Sequence, residues 1–204
     1  MTDFNLRARD WDNDPLKVER ARKVADAIRK NVRLTPDMTA LEYGCGTGLL
    51  SFALQSSLGS ITLADSSAGM LEVLREKIAA SGIHNMNPLR LDLATDPLLD
   101  QRFDIIYSMM TLHHIVDTRK VLADFYTLLD QPGKLFIADL DREDGSFHGA
   151  GFDGHNGFDQ AELTADLKQA GFGQVRFSTV YEMVKEVGGK PRSYPLFLMV
   201  AEKG

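Results

Sequence analysis

The sequence predicts an α/β fold: a mostly parallel β-sheet with helices on both faces and an antiparallel pair of strands at its C-terminal end. Three observations carry that prediction. Strand-like and helix-like patterns alternate for five rounds, as expected of parallel strands joined by crossover helices. The last two strand patterns follow one another with no helix between them, which predicts an antiparallel pair at one sheet edge. Glycines and acidic residues gather just after the strand patterns, where open α/β sheets bind their ligands.

Asp14-Pro15 opens a helix, because the aspartate can cap free N–H groups and proline suits the first helical position. Val18, Ala21, Val24, Ala25 and Ile28 then recur at helical spacing. Residues 39–43 form a short strand broken by Gly44-Cys45-Gly46-Thr47-Gly48, and residues 49–58 a helix. A second strand, 61–64, ends at Asp65, and Ser66 is expected to cap a helix running to Ala80 before Ser81-Gly82. Strands follow at 88–93 and 103–107, a helix at 118–129, and a strand at 134–140 after the Gln131-Pro132-Gly133 turn. Asp159, with Glu162 three residues later, reads as a capping box for a helix ending at Ala170-Gly171. The final strands, 174–183 and 194–201, are joined through Gly188-Gly189-Lys190-Pro191.

The 204 residues suit one domain. Residues 1–34 would form an N-terminal cap and helix, and residues 141–158 an active-site loop or lid, being too long and glycine-laden for a simple connector. A lone cysteine, Cys45, rules out a disulfide within the chain and fits a reducing cytoplasm. The charged N-terminus lacks the apolar core of a secretory signal, and no apolar run approaches a membrane span. A net charge of −6 argues against nucleic acid, which attracts clustered Lys and Arg. The one dense basic stretch, residues 17–33, has acids interspersed at helical spacing and reads as a solvated helix face.

The loop after the first strand carries most of the chemical signal. Its three alternating glycines let the chain turn sharply and let a ligand pack on bare main chain. The helix behind it presents free N–H groups. Asp65, at the tip of the second strand, can accept both hydroxyls of a ribose. Glu42-x-Gly44-x-Gly46-x-Gly48 with that acid resembles the cofactor motifs of class I S-adenosylmethionine (SAM)-dependent methyltransferases. So do Leu91-Asp92-Leu93, the run 103–108 and Ala170-Gly171-Phe172.

The resemblance implies a Rossmann-like sheet of seven strands with the last antiparallel, and SAM as cofactor. It places Glu42, Gly44, Gly46 and Gly48 around the methionine end of SAM, with Ser108 nearby. Asp65 would meet the ribose, Ser66 and Met70 the ribose and adenine, and Asp92 the adenine amino group beside the Leu93 backbone. Cys45 reads as a small packing residue within the loop, since nothing nearby in sequence would lower its pKa. A nicotinamide-binding oxidoreductase is the main alternative, but G-x-G-x-x-G started at Gly44 needs glycine where Leu49 stands. A non-catalytic SAM-binding subunit is a third reading.

Residues 108–111, Ser-Met-Met-Thr, lack the proline pair and aromatic of enzymes that methylate exocyclic amines of bases, so the expected acceptor is a small molecule. Because the sulfonium of SAM is already activated, direct in-line transfer needs no fixed catalytic residue. His113-His114 admits two roles, a packed scaffold or a substrate contact. His148 and His155, in the glycine-rich stretch, are further candidates to orient or deprotonate an acceptor. The spacings of these four histidines match no zinc pattern, so no metal is expected. Trp11, in the N-terminal segment, reads either as a cover over the cofactor or as an anchor for the first helix.

Overall fold

A computed structural model describes residues 4–204. Seven strands form one sheet: β1 (Thr39–Tyr43), β2 (Ser60–Asp65), β3 (Met86–Arg90), β4 (Phe103–Met109), β5 (Leu129–Leu140), β6 (Gly173–Val187) and β7 (Lys190–Lys203), in the order β3-β2-β1-β4-β5-β7-β6. Strands β1 to β5 pair in parallel. β7 runs antiparallel to both β5 and β6, so β6 is the edge strand. Among the described residues, six α-helices accompany them: α1 (Phe4–Arg7), α2 (Pro15–Asn31), α3 (Leu49–Leu54), α4 (Ala68–Ser81), α5 (Thr118–Leu128) and α6 (Gln160–Ala170).

Side chains alternate across the sheet, because successive residues of a strand point to opposite faces. Tyr107, Phe136 and Ala138 pack on one face with Val24 and Ile28 of α2, Leu50 and Leu54 of α3, and Leu71 and Leu74 of α4. Ile106, Leu135 and Ile137 pack on the other with Leu122 and Phe125 of α5 and Leu163 and Leu167 of α6. Burial on both faces explains why the central strands read as nearly continuous apolar runs.

Several boundaries differ from expectation. Ser67, not Ser66, caps α4, its side chain accepting from the Met70 N–H at 3.2 Å. β3 ends at Arg90, so Leu91-Asp92-Leu93 lies in the following loop. α3 stops at Leu54 and continues as a 3-10 turn through Ser57. The expected turn at residues 131–133 falls inside β5, where the register with β4 slips between Phe103–Leu129 and Ile105–Lys134. The final hairpin is longer than its hydrophobic pattern, turning at Gly188-Gly189. Hydrogen bonds of the backbone ladder continue the pair after the apolar pattern has ended.

Residues 141–158 carry no helix or extended strand. An isolated bridge, Asp141 to Phe158, closes the loop's base, and the Glu143 N–H reaches the Asn156 carbonyl at 2.9 Å. The loop is pinned to the hairpin by Arg192 on Asp144 at 2.6 Å and by the hydroxyls of Ser146 and Tyr194 at 2.6 Å. Asp159 caps α6, accepting from the N–H groups of Ala161 and Glu162, but the Glu162 carboxylate pairs with Arg142, so the reciprocal half of the expected capping box is replaced by an ion pair.

The corrected cap is testable. Ser67→Ala should cost about 1 kcal/mol of unfolding free energy in urea titrations. Ser66→Ala should stay within about 0.5 kcal/mol of the parent; an equal or larger loss there would reassign the cap.

Candidate active site

A cavity of about 870 Å³ opens beyond the carboxyl ends of β1, β2 and β4. Glu42, Gly44, Cys45, Gly46, Asp65, Ser66, Met70 and Asp92 all line it. Gly48, Leu93 and Ser108 do not. Gly48 sits behind the wall, where an added Cβ would lie 2.7 Å from Leu74 Cδ1. The Leu93 N–H is bonded to the Tyr43 hydroxyl at 3.1 Å, and its carbonyl accepts from Lys120. The Ser108 hydroxyl donates to the Tyr43 carbonyl at 2.8 Å, bracing β4 against β1.

The glycine bend is held by its neighbours. The N–H groups of Gly44 and Cys45 both reach the Ala64 carbonyl on β2, and the Gly46 N–H reaches Asp65 Oδ2 at 2.7 Å. A Cβ on Gly44, whose φ is +70°, would fall 2.2 Å from Thr111 Cγ2. On Gly46 it would meet only Met70 Sδ at 3.9 Å, so bare backbone faces open cavity there. The other Asp65 oxygen accepts from the Ser67 N–H at 2.8 Å. Burial raises the Asp65 pKa, against these backbone bonds, which lower it. Cys45 is buried, and burial followed by Glu42 pushes its thiol well above the ordinary value, which suits packing and not attack.

Glu42 is the most perturbed carboxyl here. It is 2% exposed and accepts from both the N–H and the hydroxyl of Ser51, whose oxygen also lies 2.7 Å from the Tyr107 hydroxyl. Burial raises its pKa to about 8, with the Ser51 bonds opposing.

The N-terminal segment closes over this end. Phe4, Arg7 and Trp11 line the cavity. Asn5 accepts from the Gly69 N–H at 2.9 Å, and Asp12 takes Thr47 at 2.5 Å and Lys77 at 2.5 Å. The basic stretch 17–33 is not wholly a solvated face, because Lys17 and Arg20 turn into the cavity. Lys17 lies 3.8 Å from the Trp11 ring centre, and Arg20 sets its guanidinium on Met183 Sδ at 3.1 Å. Sequence periodicity missed both, since nothing in one chain shows which turn of a helix meets a neighbouring strand.

The far end is built by histidines from two segments. Among the described candidates, His113, His114 and His148 line the cavity. His155 does not; its Nε2 lies 2.9 Å from the Ile115 carbonyl, and its own N–H reaches the His113 carbonyl, so it braces the loop. His113 is buried, with Nδ1 2.6 Å from Asp139 Oδ1. Burial alone would raise the Asp139 carboxyl, but His113 opposite it and the surrounding hydrogen bonds hold it below the ordinary value. Burial and then His113 lower His114 to about 4. Burial, His113 and Lys185 lower His148 to about 4 as well. Asp139, near the end of β5, is buried behind the cavity wall and orients His113, a pairing that strand pattern alone did not single out.

Residues 40–133 match the family described as "Methyltransferase domain". That match spans under half of the chain, and this part of the sequence is similar to methyltransferase domains. It is 33% identical over 119 residues to uncharacterized methyltransferase C1347.09 of Schizosaccharomyces pombe, a match spanning 55% of this chain and 42% of that protein. It is 28% identical over 145 residues to the ubiquinone biosynthesis O-methyltransferase of Coxiella burnetii, spanning 70% and 62%. Thus the chain covers only about half the length of these relatives. A SAM-dependent methyltransferase structure from Thermotoga maritima shares the fold at TM-score 0.72 and 19% identity, covering 98% of each chain. The strand order also departs from the 3-2-1-4-5-6 order of dinucleotide-binding sheets, because β7 is inserted between β5 and β6.

Glu42 makes a pH-dependent stability prediction. Its carboxyl ionises near 4.5 when unfolded and near 8 when folded. The stability it contributes is therefore complete below the lower value and is lost as pH rises through the upper one. Thermal unfolding of Glu42→Gln should show a flatter decline than the parent over that window, and a higher melting temperature at pH 8 by an amount worth a few kcal/mol. Parallel curves would remove the buried-acid assignment.

Proposed function

We propose that the chain binds SAM in this cavity and transfers its methyl group to a small, largely apolar acceptor. The observation that carries this reading is one cavity lined at once by the bare Gly44–Gly46 backbone and by Glu42, Asp65 and Asp92. The residues fit the cofactor. Gly46 leaves free the space that a side chain would fill, and backbone N–H groups fix both Asp65 oxygens while leaving acceptor capacity for ribose hydroxyls. Asp92 Oδ1 accepts from the Ala94 N–H at 3.0 Å, which steadies a carboxylate suited to an adenine amino group. Glu42 answers a cationic ammonium at the methionine end, where a ligand charge would favour its ionised form.

Bound SAM supplies a methyl group on an electron-poor sulfur. The chain's own task is then to align an acceptor and exclude water. The N-terminal segment with Phe4 and Trp11 covers the cavity, while Met109, Met110, Ile115, Phe147 and Met183 give it an apolar wall. Such a wall suits a small organic acceptor, as does the relation to an enzyme named for ubiquinone biosynthesis. A net charge of −6 disfavours nucleic acid, and among the described residues no helix is long and apolar enough to cross a membrane. The single buried thiol suits a reducing compartment such as the cytoplasm.

Titration calorimetry should show saturable binding of SAM and S-adenosylhomocysteine and none of NAD. Asp65→Ala should weaken SAM binding by roughly 10- to 100-fold, since hydrogen bonds to a charged group contribute about 1.5–3 kcal/mol each. Equal binding by Asp65→Ala, or a preference for NAD, would overturn the reading. Trp11, the sole tryptophan, should change its fluorescence as SAM is added; an unchanged spectrum at saturation would leave it as an anchor only.

A further inference from the structure

We propose that His113, His114 and His148 form a binding site for a divalent transition metal of the zinc type at the acceptor end of the cavity. One ring nitrogen from each lies within 4.8 Å of the others. Bonds of about 2.0–2.1 Å to a tetrahedral ion set neighbouring nitrogens about 3.3 Å apart, so small ring rotations close the site. The ring centres of His148 lie 5.0 Å from His113 and 5.4 Å from His114.

The hydrogen bonding points the same way. Two of the cluster's nitrogens, Nε2 of His113 and Nε2 of His148, are buried with no hydrogen-bond partner. Orphaned buried polar atoms are costly and need a reason. His113 is 1% exposed, and its other nitrogen faces Asp139. A proton held on Nδ1 by that carboxylate leaves the Nε2 lone pair for an ion, the carboxylate–histidine–metal arrangement by which outer groups orient ligands. Asp139 is placed by its own constraints, accepting also from the N–H groups of His113 and Leu140. His148 is stacked on Phe152 with ring centres 3.9 Å apart, which fixes its plane. Phe4 meets His114 edge-on at 5.3 Å. Nitrogen ligands favour zinc and its neighbours over magnesium or calcium.

Three protein ligands facing a cavity leave a fourth position for an exogenous group. The role of that position rests on the methyltransferase reading; the ion site does not. An acceptor hydroxyl, phenol or thiol held there ionises more readily, its proton passing to water. Its oxygen or sulfur then forms the bond to the methyl carbon, while the breaking carbon–sulfur bond leaves its electron pair on the cofactor sulfur. The site therefore selects acceptors with an ionisable oxygen or sulfur.

The test is titration of chelator-treated protein with Zn²⁺ by calorimetry and with Co²⁺ by visible absorption. One ion per chain and the ligand-field bands of tetrahedral Co²⁺ are expected. His148→Phe, which retains the ring stack, should weaken binding at least tenfold, and Asp139→Asn roughly 10- to 100-fold. Circular dichroism identifies any variant that fails to fold, and His114→Phe provides a second ligand deletion. No saturable ion binding, or equal binding by both phenylalanine variants, overturns the site. SAM calorimetry on the same samples separates the two proposals: an ion without SAM binding defeats the methyltransferase reading alone, and SAM binding without an ion defeats the metal site alone.

Discussion

Everything at this site depends on how the chain leaves β1. Gly44 and Cys45 turn their N–H groups onto the Ala64 carbonyl, and Gly46 gives its own to Asp65, so the tips of β1 and β2 are tied together by main chain. Thr111, from the tip of β4, fills the space that a side chain on Gly44 would need, and its hydroxyl donates to the Gly44 carbonyl at 3.2 Å. Three adjacent parallel strands thus share one junction, and the cavity lies directly above it. The bend also sets where Asp65 points, because the carboxylate that would meet a ribose is already oriented by the backbone beneath it.

That junction carries an electrostatic cost. Glu42 is enclosed beside Ser51 and Tyr107, where a charge is poorly solvated, and burial pushes its pKa to about 8. A fully apolar residue would pack there with less penalty. Under the proposed function, the cationic ammonium at the methionine end of SAM would ionise this buried acid. On that reading, stability and ligand recognition would pull in opposite directions at this one residue.

The histidine-lined end of the cavity is organised differently. Its side chains come from the short 3-10 segment Leu112–His114 after β4 and from the loop between β5 and α6, two stretches distant in the chain. The loop reaches the cavity because the β6–β7 hairpin grips it through Arg192, Tyr194 and Lys185. Asp139, at the end of β5, then meets His113 at the level of that loop. The antiparallel hairpin is thereby part of the site's construction, since it holds the wall that carries His148.

Much of the fold and of the cofactor end was legible in the sequence, because both are written in local terms. Strand periodicity, glycines that must adopt positive φ, an acid at a strand tip and an aspartate before a helix each signal their role within a few residues. So Gly44, Gly46, Asp65 and Asp92, singled out at or near strand ends, line one cavity, although Asp92 lies in the loop after β3 rather than at its end. Tertiary structure decided what depends on long-range packing. It assigned the α4 cap to Ser67, spent the Leu93 N–H on Tyr43, turned Arg20 inward and set His155 apart as a brace. It also joined three histidines whose spacing along the chain spelled no metal motif. Local pattern records what each residue prefers, whereas the partner of a buried nitrogen is settled only when distant segments pack together.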